Sequence, residues 1–228
     1  MKKLLQTLLM VFAIVSTVVA KDIEKRTIEV KSFNELHFAS AFEVFITQGK
    51  DCQMVMEGRP QDLDLVKIKT IDKSLSVSMQ DGRHKTKKIT LYFQVKDINE
   101  VQTSGACNVY SKNVLKSDNL QVRASGASKM KLELNTKNVE VRCSGASNVM
   151  LVGTTDNFIA KLSGASNVRA KDMISNQVHV SMNGASNLKI HANNSIEGNC
   201  LGASSVKFVG DPQRVLVNTS GAGSVQRL

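Results

Sequence analysis

From residue 99 onward, apolar and polar positions alternate around a pentapeptide that keeps returning. It resembles Ser-Gly-Ala-Ser-Asn, and its glycines are Gly105, Gly126, Gly145, Gly164, Gly184, Gly202 and Gly221. Six residues before the glycine stand Leu120, Val139, Phe158, Val178 and Ile196, and four before it Val101, Val122, Val141, Ala160 and Val180. The positions between them carry Glu100, Gln121, Glu140 and His179, then Arg123, Arg142 and Lys161. Successive side chains leave a strand on opposite sides, so this period of two predicts a strand with one buried face. The pattern resumes four and six residues after the glycine, with Val109, Met130, Val149, Val168 and Leu188, then Leu132, Leu151, Ala170 and Ile190. Each repeat therefore holds at least two strands.

Successive glycines lie 18 to 21 residues apart. That is too short for a βαβ unit, which takes roughly 30 residues, and no helical spacing lies between copies. Each repeat is predicted to form one turn of a parallel β-helix, an all-β solenoid of about 19 residues per turn. Every strand would pair with its counterpart one turn away, roughly 4.8 Å distant.

The pentapeptide becomes the corner of the coil. Glycine takes positive φ without a Cβ clash, and alanines such as Ala146 are expected to point into a corner too tight for leucine. Asn108, Asn148, Asn167 and Asn187, three residues after their glycines, are expected in the left-handed region and, in register, to join their amides as a ladder. The Ser and Asn columns read first as structural and second as a polar strip that binds sugars.

The first half carries weaker copies. Placing Ser40 on the glycine position puts Leu36, Phe38, Ala41, Val44 and Ile46 inward, and further alternating runs follow at Leu75 to Met79 and Ile89 to Val95. Asp62 to Asp72 and Asp81 to Lys88 read as charged connections. Residues 21–98 are thus expected to form a less regular, β-rich cap of the same domain, with aromatic side chains closing one end and residues 99–228 forming the repeats. A solenoid needs such a cap because its terminal turn offers an unpaired edge. The opposite end is expected to be less protected and open to end-to-end association of copies.

Residues 1–20 differ in kind. Lys2 and Lys3, an apolar run from Leu4 to Val15, and Val18-Val19-Ala20 before Lys21 match a secretory signal peptide with a small-residue cleavage site. The run is short for a membrane span, no later segment is apolar for long enough, and no cysteine follows the cut to carry a lipid. The expected product is an exported protein of the periplasm or cell surface.

Loss of Lys2 and Lys3 lowers the formal charge from +10 to +8. Such a chain is attracted to anionic polysaccharide, lipid headgroups or nucleic acid by nonspecific electrostatics, and polysaccharide or envelope proteins are the expected partners. Arg83, His84, Lys85, Lys87 and Lys88 come closest to an anion patch, but read first as a solvated connection and second as a patch that binds anions. With two tyrosines and no tryptophan to stack on bases, nucleic acid is not an expected partner. Cys143 and Cys200 share an inward column three turns apart, roughly 14 Å by strand spacing, beyond the ~7 Å limit of a disulfide. Cys52 and Cys107 have no evident partner. Free buried thiols are the expectation, without metal-ligand spacing.

No catalytic, metal or cofactor residue is assigned: His37, His84, His179 and His191 are scattered, and Glu133, Asp156, Asp172 and Glu197 fall in different columns or turns. The Ser-Gly-Ala-Ser-Asn-Val strings, the segments Phe33 to Leu36 and Val44 to Gly49, and Ser220 to Val225 resemble the head GIN domain family of exported Bacteroides-type proteins, the "putative auto-transporter adhesins". The resemblance spans the chain after residue 21 and implies a right-handed parallel β-helix outside the cytoplasm. A translocating barrel would find no room in it. The expected function is a noncatalytic binding or adhesin-like module; the alternatives are a polysaccharide-degrading β-helix enzyme and a structural envelope protein assembled end to end.

Overall fold

Register, carried by backbone hydrogen bonds from one repeat to the next, turns the alternation into a stack. The computed structural model describes residues 23–80 and 87–228; the expected signal peptide lies outside them. In chain order the strands are β1 (Glu24–Ile28), β2 (Glu35–Ala39), β3 (Phe42–Gln48), β4 (Gln53–Gly58), β5 (Val66–Ile71), β6 (Ser74–Met79), β7 (Ile89–Val95), β8 (Glu100–Ser104), β9 (Asn108–Ser111), β10 (Leu115–Ala124), β11 (Lys129–Cys143), β12 (Asn148–Leu162), β13 (Asn167–Met182), β14 (Asn187–Gly202), β15 (Ser205–Val209), β16 (Arg214–Gly221) and β17 (Ser224–Arg227). One helical turn, α1 (Pro60–Leu63), follows β4. The result is a β-solenoid of about seven turns.

From β8 on, each strand pairs in parallel with its equivalent one repeat later. Val122 faces Val101 and Val141, Val141 faces Ala160, and Ala160 faces Val180. The inward columns are buried: Leu120, Val139, Phe158, Val178 and Ile196 are at most 2% exposed, as are Val109, Met130, Val149, Val168, Leu188 and Val206. Full burial of one such side chain contributes roughly 1.5–3 kcal/mol, repeated down the stack. Unequal repeat lengths are absorbed within β13, where the register shifts between Arg169 and Asp172, between Ala170 and Ile174, and between Ser175 and Gln177. The 20-residue spacing from Gly164 to Gly184 and the 18-residue spacing that follows thus leave the corners aligned.

At the amino-terminal end, space and sequence part company. β2 pairs with β8 on one side and β6 on the other, and β3 lies likewise between β9 and β7. The turn made by β6 and β7 therefore sits outside the earlier turn made by β2 and β3. Antiparallel strands close that end: β5 covers the edge of β6, and β4 then β1 extend from β7. Phe93 forms the hub of its core, edge-on to Phe33 at 6.1 Å and tilted against Phe38 at 5.4 Å.

Several expectations are corrected. The segment Asp62 to Asp72 is not a loose connection: Asp62 is buried in α1 and Val66–Ile71 forms β5. Ala41 points to solvent and Phe42 takes the inward place, because the residue that turns inward lies two after the corner position. For the same reason Ala146 and its counterparts are exposed while the serines that follow are buried. The asparagines three after the glycines are extended strand residues; the non-glycine residues with positive φ among those described are Ser40 and Asp72.

Candidate functional site

Gly105, Gly126, Gly145, Gly164, Gly184, Gly202 and Gly221 stack directly upon one another with φ between 70° and 91°. Ala127, Ala146, Ala165, Ala185 and Ala203 each donate their N–H to the glycine carbonyl one turn below, Ala146 to Gly126 at 2.9 Å. A Cβ on Gly145 would lie 2.9 Å from that same carbonyl oxygen. The corner needs glycine twice over, for its φ and for the close approach of rungs. Ser40 takes the same place one turn further out, with φ 126°.

Beneath the corner runs a column of buried hydroxyls. Ser128, Ser147, Ser166, Ser186 and Ser204 are at most 1% exposed, and each donates back to the carbonyl three residues earlier, for Ser147 to Ser144 at 2.6 Å. These serines cross-link the corner from within. Cys107 continues the column, its Sγ 2.8 Å from the Ser40 carbonyl. All four cysteines are free, and burial pushes the Cys143 thiol up to about 12, so it is held as a neutral thiol.

Of the corner asparagines, Asn167 Nδ2 donates to Asn148 Oδ1 at 3.1 Å, a single rung. Asn108 and Asn187 share the column, facing Lys129 and Asn167 respectively. A longer ladder stands elsewhere: Asn157 donates to Asn138 at 2.7 Å, and Asn138 to Asn119 at 2.8 Å. Its members recur every 19 residues, seven before their glycines, and that spacing is the signal that could have found them.

This second ladder marks the other bend of the coil, where the alternation skips a beat. Thr136 and Val139, three apart, are both buried, as are Thr155 and Phe158. Thr136 donates to Thr155 at 3.1 Å, and Thr155 to the Lys137 carbonyl at 3.1 Å. Outside the bend a groove of about 640 Å³ crosses four turns, lined by Lys116, Asp118, Asn135, Lys137, Thr154, Asp156, Ile174 and Asn176. Lys137 pairs with Asp118 at 3.0 Å, and Asn176 donates to Asp156 at 3.0 Å. Ile174 is 44% exposed and adds an apolar surface. Carboxylates, amides, hydroxyls and an ammonium along a shallow trough can exchange hydrogen bonds with a polyhydroxylated chain, while the two carboxylates are already partnered.

The loop patch is only partly in view. Arg83, His84 and Lys85 lie outside the described residues, the Lys87 backbone N–H donates to Asp62, and Lys88 pairs with Glu43 at 2.6 Å. Among the described residues, no group of three His, Cys, Asp or Glu is placed to hold a metal ion, and no helix is long and apolar enough to cross a membrane.

A family model described as "Putative auto-transporter adhesin, head GIN domain" matches residues 32–212. A putative adhesin of Bacteroides fragilis has the same fold with TM-score 0.87 and 22% identity, covering 92% of this chain and 98% of that one. A putative adhesin of Parabacteroides merdae follows with TM-score 0.74 and 18% identity over 92% and 97% of the two chains. A protein of Parabacteroides distasonis described as a putative lipid binding protein has TM-score 0.72 and 14% identity over 92% and 98%. No curated protein matches.

Proposed function

The chain belongs to the head GIN domain family, and from that premise we propose that it is an exported, noncatalytic binding module of the adhesin type that holds polysaccharide in the groove outside the second bend. The observation that carries this reading is the trough itself, in which Asn135, Lys137, Thr154, Asp156 and Asn176 present hydrogen-bonding groups on consecutive turns beside exposed Ile174. Turns roughly 4.8 Å apart give the trough a repeat comparable to one sugar of an extended chain. Residues 1–20 act as the export signal, to be checked by amino-terminal sequencing of the protein from the periplasm or surface.

A glycan array probed with wild type and with an Asn135→Ala, Lys137→Gln double variant tests the groove. Reproducible binding lost in the variant is expected; absence of any reproducible ligand, or equal binding by both, sinks the reading. Envelope proteins are a second class of partner, motivated by Val215 and Leu216 on β16, 40% and 52% exposed. The same residues motivate self-association, for which sedimentation should show a concentration-dependent dimer.

A further inference from the structure

Charges are distributed unequally between the two sides of the glycine corner. On the strands before it, cations are matched: Arg123 with Glu100 at 3.4 Å, Arg142 and Lys161 with Glu140 at 2.9 and 2.7 Å, and Arg214 with Glu197 at 3.4 Å. Burial alone would raise the Glu140 carboxyl, and the two cations overcome it and hold it below the ordinary range.

On the strands after the corner, the outward position five past the glycine reads Lys131, Met150, Arg169, Lys189 and Lys207. Register places these residues one above another: Lys131 against Met150, Met150 against Arg169, Arg169 against Lys189, and Lys189 against Lys207. Among the described residues none of these cations has an ion-pair partner. No acidic residue stands in this column or in its neighbour three past the glycine, which carries Lys129, Asn148, Asn167 and Asn187.

Like charges on directly opposed strand positions repel and destabilise a sheet. Here three successive rungs, roughly 4.8 Å apart, repeat that arrangement. The asparagine column runs alongside, and a depression of about 260 Å³ is lined by Lys129, Asn148, Met150, Asn167 and Arg169. The exposed large apolar side chains lie elsewhere, at Ile23, Ile71, Ile174, Leu201, Val215, Leu216 and Leu228, so the face lacks the anchors that favour a membrane surface.

We propose that this face binds an acidic polysaccharide laid along the solenoid axis, its carboxylates meeting Arg169, Lys189 and Lys207 and its hydroxyls meeting the Asn148 to Asn187 column. The proposal rests on the reading of the protein as a carbohydrate-binding module but uses a different face from the groove. A linear polymer with one anionic group per sugar matches one cation per turn, and Arg adds bidentate recognition of a carboxylate.

The test uses the purified protein with alginate as the acidic polymer, dextran as a neutral one, and phosphatidylglycerol vesicles. Alginate binding that weakens with salt is expected. The variant Arg169→Gln, Lys189→Gln, Lys207→Gln should lower alginate affinity about tenfold, the scale of a few exposed ion pairs, with a Tm no lower than that of wild type, because the repulsion between rungs is removed. The double variant Arg142→Gln, Lys161→Gln should leave it intact. The proposal is overturned by absence of alginate binding, by equal loss in the two variants, or by vesicle binding that falls in parallel with alginate binding in the triple variant. Failure of the groove variants on the glycan array would leave the alginate result standing, so the two readings fail separately.

Discussion

Between Glu100 and Arg227 every strand finds its partner one repeat away, whereas between Glu24 and Val95 strands pair out of order and partly antiparallel. The first region is held by many copies of one small corner, the second by a few large aromatic contacts and an ion pair across the start of α1. Repetition distributes stability over near-equivalent turns, while the cap concentrates it in residues that occur once. Damage should therefore cost most in the cap, and within the repeats most where backbone crowds backbone.

The largest effect is expected from Phe93→Ala, which removes the ring touching Phe33 and Phe38 and should cost about 3–5 kcal/mol in denaturant unfolding. A loss no larger than that of a surface substitution would erase the distinction between the regions. In the repeats, Gly153 has φ 122°, and an added Cβ would fall 1.9 Å from the Leu134 carbonyl oxygen. Gly153→Val should cost about 3 kcal/mol and Gly145→Val about 2 kcal/mol. A wild-type melting temperature in Gly145→Val would refute the corner assignment. Ser147→Ala removes a buried donor to the Ser144 and Ala124 carbonyls and should cost about 1–2 kcal/mol.

Acid should sharpen the comparison further. Arg59 hydrogen-bonds the Asp62 carboxylate at 2.7 and 3.0 Å and, against the opposing effect of burial, holds it below its ordinary range. A carboxyl with a depressed folded pKa contributes stability that is present above its unfolded pKa and is lost as pH falls through the lower folded value. Asp62→Asn should therefore cost about 1 kcal/mol at pH 7, and the gap to wild type should close as the buffer is taken below pH ~4. A gap that stays constant in acid would show that the pair does not act through charge. The smallest effect belongs to Asn148→Ala, which removes one exposed rung; less than about 0.5 kcal/mol is expected in the melting temperature comparison.

Much of the coil was legible because its signal is repeated. The strand segments that carry Val141 and Ala160, and those that carry Val149 and Val168, alternate in sequence as they do in space. The corner was legible as a place and misread in detail: alanine was assigned the inward role that Ser147 and its counterparts hold, since the pentapeptide alone does not say which of its residues turns toward the core. The asparagine ladder at Asn119, Asn138 and Asn157 lies outside the pentapeptide, which by itself gives no sign of it. The groove beside it needs four turns at once, and Asn135 and Thr154 are neighbours only through register.

The sequence by itself determined the period, the buried face and the need for glycine at the bend, because each is enforced locally by the two-residue alternation of a strand and by the reach of a backbone carbonyl one turn below. Tertiary structure decided which turn lies outside which at the capped end, and which outward charges find partners. Those outcomes depend on contacts between segments distant in the chain: β6 and β7 cover β2 and β3 where Phe93 meets Phe33 and Phe38, and Arg169, Lys189 and Lys207 form a column although three register shifts interrupt the pairing of β13.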